Sequence, residues 1–219
     1  MKTDKIFTGI FRIDGKLATP NLVKGMRVYD EELIDSGDVQ YRLWNPYRSK
    51  LAAAILKGLK HMYILPGSSV LYLGASTGTT SSHISDIVGE KGSVYCIEMA
   101  ERSMRDLLRV CENRHNMLPI LQDARNVSSY SDEVGMADVI YQDVSARDQD
   151  SILLANSALL AKGSYAYVAI KSQSIDVSKD PKAVYSQFIT SVSRAFSVVE
   201  EIDIMPYDKM HLFVVLKKK

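Results

Sequence analysis

The segment Val70-Leu-Tyr-Leu-Gly-Ala-Ser-Thr-Gly-Thr-Thr80 decides how the chain is read. An apolar run of strand length, Ser69 to Leu73, stops at Gly74, and small residues carry the chain on to Thr79 and Thr80. Beyond them Ile84, Ile87 and Val88 fall on one helical face. A buried strand, a glycine turn and a helix start form half of a nucleotide-binding βαβ unit. The glycines let the backbone pass close to a ligand, and unpaired N–H groups at the helix start can meet its polar atoms. The spacing is Gly-x-x-x-Gly, which differs from the Gly-x-Gly-x-x-Gly suited to a dinucleotide pyrophosphate.

Downstream, strands alternate with helices. Ser93 to Met99 is a second strand with Glu98 near its end, and Met104, Leu107, Leu108 and Cys111 give the next helix an apolar face. Leu118 to Gln122 is a third strand, followed by Asp123, and Ala137 to Tyr141 a fourth that leads to Asp143. Ile152 to Leu160 reads as a helix stopped by Lys162-Gly163, and Tyr165 to Ile170 as a fifth strand ending at Lys171. Asp180-Pro181 opens a helix with Val184, Phe188, Val192 and Ala195 inward, and Val198 to Ile204 and Leu212 to Leu216 complete the strands. This alternation predicts a mostly parallel sheet covered on both faces.

In such sheets ligands gather at the C-terminal strand edge, where Glu98, Asp123, Asp143 and Lys171 all fall. An acid about 20 residues past the glycine turn suits a ribose diol, because a carboxylate accepts from both hydroxyls. Asp143 and Lys171 end consecutive strands and can come within ion-pair reach. Such a pair is commonly a plain salt bridge; beside a cofactor turn, the lysine can polarise or deprotonate a hydroxyl. Lys50 and His211 can approach the same edge.

Upstream, residues 1–43 read as a small antiparallel β domain, with Asp14-Gly15 a hairpin-type turn, and residues 44–219 as the main domain. Asn45-Pro46 looks like a helix start, with Leu51, Ala54, Ile55, Gly58, Leu59 and Met62 on one face. Arg42, Arg48, Lys50, Lys57 and Lys60 lie in the same stretch with no acid among them. They fit either a solvated face or a basic surface for an RNA backbone.

The composition is that of a globular protein: 219 residues, 46% hydrophobic and 24% charged. No apolar run approaches the roughly 18 residues of a membrane span, and no signal-peptide core is evident at the start. With Cys96 in a strand and Cys111 in a helix, the expectation is reduced thiols in a cytoplasmic protein. The net charge of +1 does not announce nucleic-acid binding, so any RNA contact must be local.

Trp44-Asn-Pro-Tyr-Arg-Ser-Lys-Leu-Ala-Ala-Ala-Ile55, Leu73-Gly-Ala-Ser-Thr-Gly-Thr-Thr80, Tyr141-Gln-Asp-Val144, Ile170-Lys171 and Ser174-Ile-Asp176 together closely resemble fibrillarin. That family comprises S-adenosylmethionine-dependent RNA ribose 2′-O-methyltransferases of box C/D guide ribonucleoproteins. The likeness runs from about residue 20 to the end and is to the compact archaeal type, without a glycine-arginine-rich tail.

The resemblance implies a seven-stranded Rossmann-like methyltransferase sheet with an antiparallel last strand, preceded by the small β-rich domain. It implies that Gly74, Ala75, Thr79 and Thr80 surround the methionine part of the cofactor. Glu98 would then take the ribose hydroxyls with Met99 beside the adenine, and Asp123 and Ala124 would hold the adenine edge, with Asp143 also at the cofactor. The family's Lys-Asp-Lys-His set falls on Lys50, Asp143, Lys171 and His211, and no metal is implied. The implied partners are box C/D guide RNA, target rRNA or tRNA, a Nop-type scaffold protein and a kink-turn-binding ribosomal-type protein.

This chain departs from the family pattern at Ala146, where a Gln is usual, at Asn126, where a Pro is displaced, and at Met210, where an Asp is common. A non-catalytic ribonucleoprotein subunit is the alternative reading. A nucleotide-dependent dehydrogenase is opposed by the glycine spacing.

Overall fold

The computed structural model describes residues 2–219. Its first part is β1 (Thr3–Phe7), β2 (Ile10–Ile13), β3 (Lys16–Pro20), β4 (Leu33–Ser36) and β5 (Val39–Leu43), all antiparallel, in the order β1-β2-β3-β5-β4. Then come α1 (Lys50–Leu56), β6 (Ser69–Leu73), α2 (Thr79–Val88), β7 (Ser93–Glu98), α3 (Glu101–Cys111) and β8 (Met117–Leu121). Next are α4 (Ser131–Val134), β9 (Ala137–Gln142), α5 (Gln149–Asn156), β10 (Leu160–Lys171) and α6 (Ser172–Ile175). The chain finishes with α7 (Pro181–Val192), β11 (Phe196–Asp203) and β12 (His211–Lys218).

Seven strands form the main sheet in the order β11-β12-β10-β9-β6-β7-β8. Neighbours from β10 to β8 pair in parallel, and β12 runs antiparallel to both β10 and β11. The last strand is antiparallel, as the resemblance implies. The strand order reverses between β6 and β9, which opens a crevice at their C-terminal ends.

Why β6 reads as an unbroken apolar run is visible in its packing. Val70 and Tyr72 enter the core under α1 and α2, while Leu71 and Leu73 enter the core on the opposite face. A strand buried on both faces needs apolar residues at every position. The small sheet is anchored to α2: Ile10 and Leu17 share the core of Ile84 and Ile87, and Gly9 sits against Ile87.

The first helix differs from the expected one. It starts at Lys50, and Ser49 is its cap, accepting from the Ala52 N–H at 3.4 Å. Asn45 turns its side chain onto the N–H of Tyr47 at 2.9 Å, a local turn that competes with helix initiation. Gly58, at φ +96°, ends the helix well before Met62. Lys162-Gly163 is likewise no helix stop. It lies inside β10, where the register against β9 shifts between Leu160 and Tyr165. Leu108, expected on an apolar face, is nearly half exposed.

The basic stretch does not form one surface. Arg42 is fully buried and paired with Glu31 and Asp86, while Lys50 turns inward to Asp143.

Candidate active site

The crevice at the strand switch is a cleft of about 640 Å³. Gly74 lines it, and Gly78, beside it in the turn, packs against α3; each is glycine for a steric reason. Gly74 has φ +81°, and a Cβ there would stand 3.0 Å from the carbonyl oxygen of Asp143. Gly78 has φ +93°, and a Cβ would stand 3.1 Å from Leu107. Gly78 also leads into α2 without a side-chain cap, so first-turn N–H groups of α2 remain for a ligand. Thr79 and Thr80 begin that helix, and the Thr80 hydroxyl donates to the Ser49 hydroxyl at 3.0 Å, tying α2 to the start of α1.

Glu98, at the end of β7, is nearly buried, and its carboxylate is fixed by the backbone. Oε2 accepts from the Ser76 N–H at 2.8 Å and Oε1 from the Ala100 N–H at 2.7 Å. Two N–H donors leave lone pairs free for a vicinal diol. Asp123 follows β8 on the same wall, where Arg125 reaches both its carboxylate oxygens, at 3.2 and 3.1 Å, and also binds Asp148. Met99, Asp123, Ala124 and Ala146 line the cleft with Ala75.

At the other end stands a row of charges. Lys171 Nζ lies 2.8 Å from Asp143 Oδ1, donates to the Asp143 carbonyl at 2.7 Å and to Ser145 Oγ at 3.0 Å. Lys50 Nζ lies 3.1 Å from Asp143 Oδ1 and donates to Oδ2 at 3.2 Å. Burial alone would push the Lys50 ammonium down, but the neighbouring carboxylates of Asp143 and Asp208 raise it above its ordinary value. Lys50 therefore stays a fixed cation at neutral pH.

His211 opens β12 directly opposite Lys171 in the antiparallel register, yet it does not line the cleft. It reaches the row through Asp208, whose Oδ1 is 2.9 Å from His211 Nδ1. The carboxylate that serves His211 thus comes from three residues upstream, not from position 210. Met210 holds a left-handed backbone at φ +60°.

Lys50, Asp143 and Lys171 are brought together, with Gly74, Ala75, Thr79, Thr80, Glu98, Met99, Asp123 and Ala124 around the same cleft. Sequence reasoning missed Ser76, Ser145 and Asp208. Only Asp208 carried a readable signal, an acid three residues before a histidine.

The family model of fibrillarin matches residues 1–219. The chain belongs to the fibrillarin family. It is 47% identical over 222 residues to the fibrillarin-like rRNA/tRNA 2′-O-methyltransferase of Methanocaldococcus jannaschii, covering 98% of this chain and 96% of that protein. Among solved structures, it is similar to Aeropyrum pernix fibrillarin with natively bound S-adenosyl-L-methionine. The TM-score there is 0.92 at 39% identity, with 99% of this chain and 98% of that one covered. It is also similar to fibrillarin in a fibrillarin/Nop5p complex, with TM-score 0.89, 34% identity, and 97% and 98% covered.

The cleft of this family member fits S-adenosylmethionine by its donor set. A nearly buried carboxylate suits a ribose diol, Gly74 admits close approach, and free N–H groups at the start of α2 suit a polar or anionic group.

Proposed function

We infer that this member of the fibrillarin family is an S-adenosylmethionine-dependent methyltransferase of ribose 2′-hydroxyls in rRNA and tRNA, directed by box C/D guide RNA. The observation that carries this is the Lys171–Asp143–Lys50 row set at one end of a cleft whose other end holds Glu98.

S-adenosylmethionine, when bound, supplies an electrophilic methyl group on a sulfonium centre. The chain's own residues position and polarise the acceptor. Lys171, held by Asp143 and Ser145, faces the acceptor hydroxyl and stabilises negative charge on its oxygen as the proton passes to water. Lys50, a permanent cation, draws in the sugar-phosphate backbone, and Asp143 keeps both lysines at a fixed separation. Glu98 would hold the cofactor ribose, while Asp123 and Ala124 would hold the adenine with Met99 alongside. Gly74, Ala75, Thr79 and Thr80 would surround the methionine part, and His211 would support the row from β12. Much of the acceleration is proximity, because the leaving group is already activated.

A Nop-type scaffold protein and a kink-turn-binding protein would present the guide and target RNA. The net charge of +1 agrees with this dependence, since few phosphate contacts give little affinity alone. Residues 1–43 would act as a separate small domain and residues 44–219 as the methyltransferase. The setting is cytoplasmic. Among the described residues, no helix is long and apolar enough to cross a membrane.

The test is methyl transfer from labelled S-adenosylmethionine to a guide-paired RNA in the assembled particle. The control target carries a 2′-deoxy nucleotide at the chosen position. Incorporation lost on the deoxy target supports the reading; an assembled particle that binds cofactor but transfers nothing favours a non-catalytic subunit.

A further inference from the structure

The loop between β11 and β12 grips the start of α1 at two points. The Tyr207 ring packs edge-on against Tyr47, centroids 5.2 Å apart, and Asp208 Oδ2 stands 3.6 Å from Lys50 Nζ. Behind it, the Met210 carbonyl accepts from the Ser172 hydroxyl at 2.9 Å, which pins the loop to the residue that follows Lys171. Lys171, Asp143, Lys50 and Asp208 then alternate in charge along one row, and His211 closes it beside Asp208.

We propose that Asp208 is the positioning residue of this row: it is the second carboxylate on Lys50, beside Asp143, and steadies His211 with its other oxygen. This rests on the methyltransferase reading of the site. Asp143 alone would face two lysines, and Lys50 would compete with Lys171 for its oxygens. Asp143 touches both lysines, and Asp208, 3.6 Å from Lys50 Nζ, supplies a second carboxylate that shares the Lys50 charge.

The Lys209 carbonyl takes the ring hydrogen bond, and Asp208 adds its charge beside the same nitrogen. Nδ1 of His211 lies 2.9 Å from Asp208 Oδ1 and 2.6 Å from the Lys209 carbonyl, two acceptors. Assigned from this network, the ring proton sits on Nδ1, and Nε2 is left as the acceptor when the ring is neutral.

Burial would push the Asp208 carboxyl up, but the hydrogen bond and charge of His211 and the charge of Lys50 bring it below its ordinary value. Lys50 faces it from α1 and His211 from β12, Asp143 lies beyond Lys50, and Tyr185 of α7 feels its charge.

The test compares Asp208→Asn and Asp208→Glu with the unaltered chain in the assembled particle. Asp208→Asn is expected to lower kcat about tenfold or more, with KM for S-adenosylmethionine within about twofold, and to change the pH–rate profile. Asp208→Glu is expected to restore most of the rate. Acylation of Lys50 by an amine-reactive anhydride, mapped by mass spectrometry, gives a readout independent of turnover. Loss of the acid partner eases deprotonation of Lys50, so its labelling should rise by about twofold or more.

The proposal is overturned if Asp208→Asn keeps the unaltered kcat and pH profile. It is also overturned if kcat falls while the profile and Lys50 labelling stay unchanged and Asp208→Glu does not rescue. If the unaltered particle transfers no methyl group, the methyltransferase reading fails, and Lys50 labelling still decides whether Asp208 holds that lysine.

Discussion

Arg42 Nη1 meets Asp86 Oδ2 at 2.9 Å with neither side chain exposed, joining the small sheet to α2 inside the protein. Arg42 also reaches Glu31 at 2.7 Å and the Ser82 hydroxyl at 3.0 Å. Asp86 further accepts from Arg114 at 2.7 Å, the Thr19 hydroxyl at 2.8 Å and the Leu22 N–H at 3.0 Å. Two arginines and two carboxylates balance in charge, and their hydrogen bonds offset the desolvation that burial costs. Arg42→Ala leaves buried carboxylates uncompensated and should cost about 3–5 kcal/mol of stability, measured by denaturant unfolding. A loss under about 1 kcal/mol would mean that the cluster is solvated in solution.

His83 sits in the same cluster as a neutral ring. The Thr19 hydroxyl spends its proton on Asp86, so it accepts from His83 Nδ1–H at 2.8 Å, and the Tyr29 hydroxyl donates to Nε2 at 2.6 Å. Burial, and then the charges of Arg42 and Arg114, hold the imidazole well below its ordinary value of 6.5. The unfolded chain therefore binds a proton that the folded one refuses. Stability is full above the unfolded value and falls as pH drops through it, by up to about 1.4 kcal/mol per pH unit. Thermal unfolding between pH 7.5 and 5 should show this slope, and His83→Gln should flatten it while lowering Tm at neutral pH.

Glu98→Gln keeps the shape of the carboxylate but loses its charge and one acceptor oxygen. Its amide would also face an N–H of the turn, at Ser76 or Ala100. S-adenosylmethionine affinity by calorimetry should weaken roughly ten- to a hundredfold, with the fold intact. Unchanged affinity would remove Glu98 from the cofactor site.

Gly74→Ala forces a Cβ against the Asp143 carbonyl and a left-handed backbone onto a residue that disfavours it. The strain should cost about 1–2 kcal/mol of stability, and cofactor binding should weaken with it. Wild-type Tm and affinity together would show that the β6 and β9 edges can part freely.

Lys171→Ala should abolish most methyl transfer, by about a hundredfold or more, while S-adenosylmethionine still binds. Single-turnover rates in the assembled particle separate chemistry from product release. Transfer that persists at the unaltered rate would shift the charge-stabilising role to another group in the row.

The strand–turn–helix of Ser69 to Val88 and the edge residues Glu98, Asp123, Asp143 and Lys171 were legible because local pattern carries them. A strand buried on both faces must be apolar throughout, a close backbone approach demands glycine, and strand ends in a parallel sheet share one edge. The helix start was misread because Asn45 and Ser49 are both good caps by type, and only the hydrogen-bond geometry separates them. Arg42 was misread for a deeper reason. Its charge suggested solvent or RNA, yet Glu31 lies on a loop and Asp86 on α2, 44 residues away. Sequence by itself determined the element types, the sheet edge and the residues gathered there, since these follow from periodicity and backbone sterics. Which charges face water, which are buried in pairs, and how Asp208 joins Lys50 to His211 were decided only by the tertiary structure, because electrostatic partnership depends on distance in space, which chain separation does not encode.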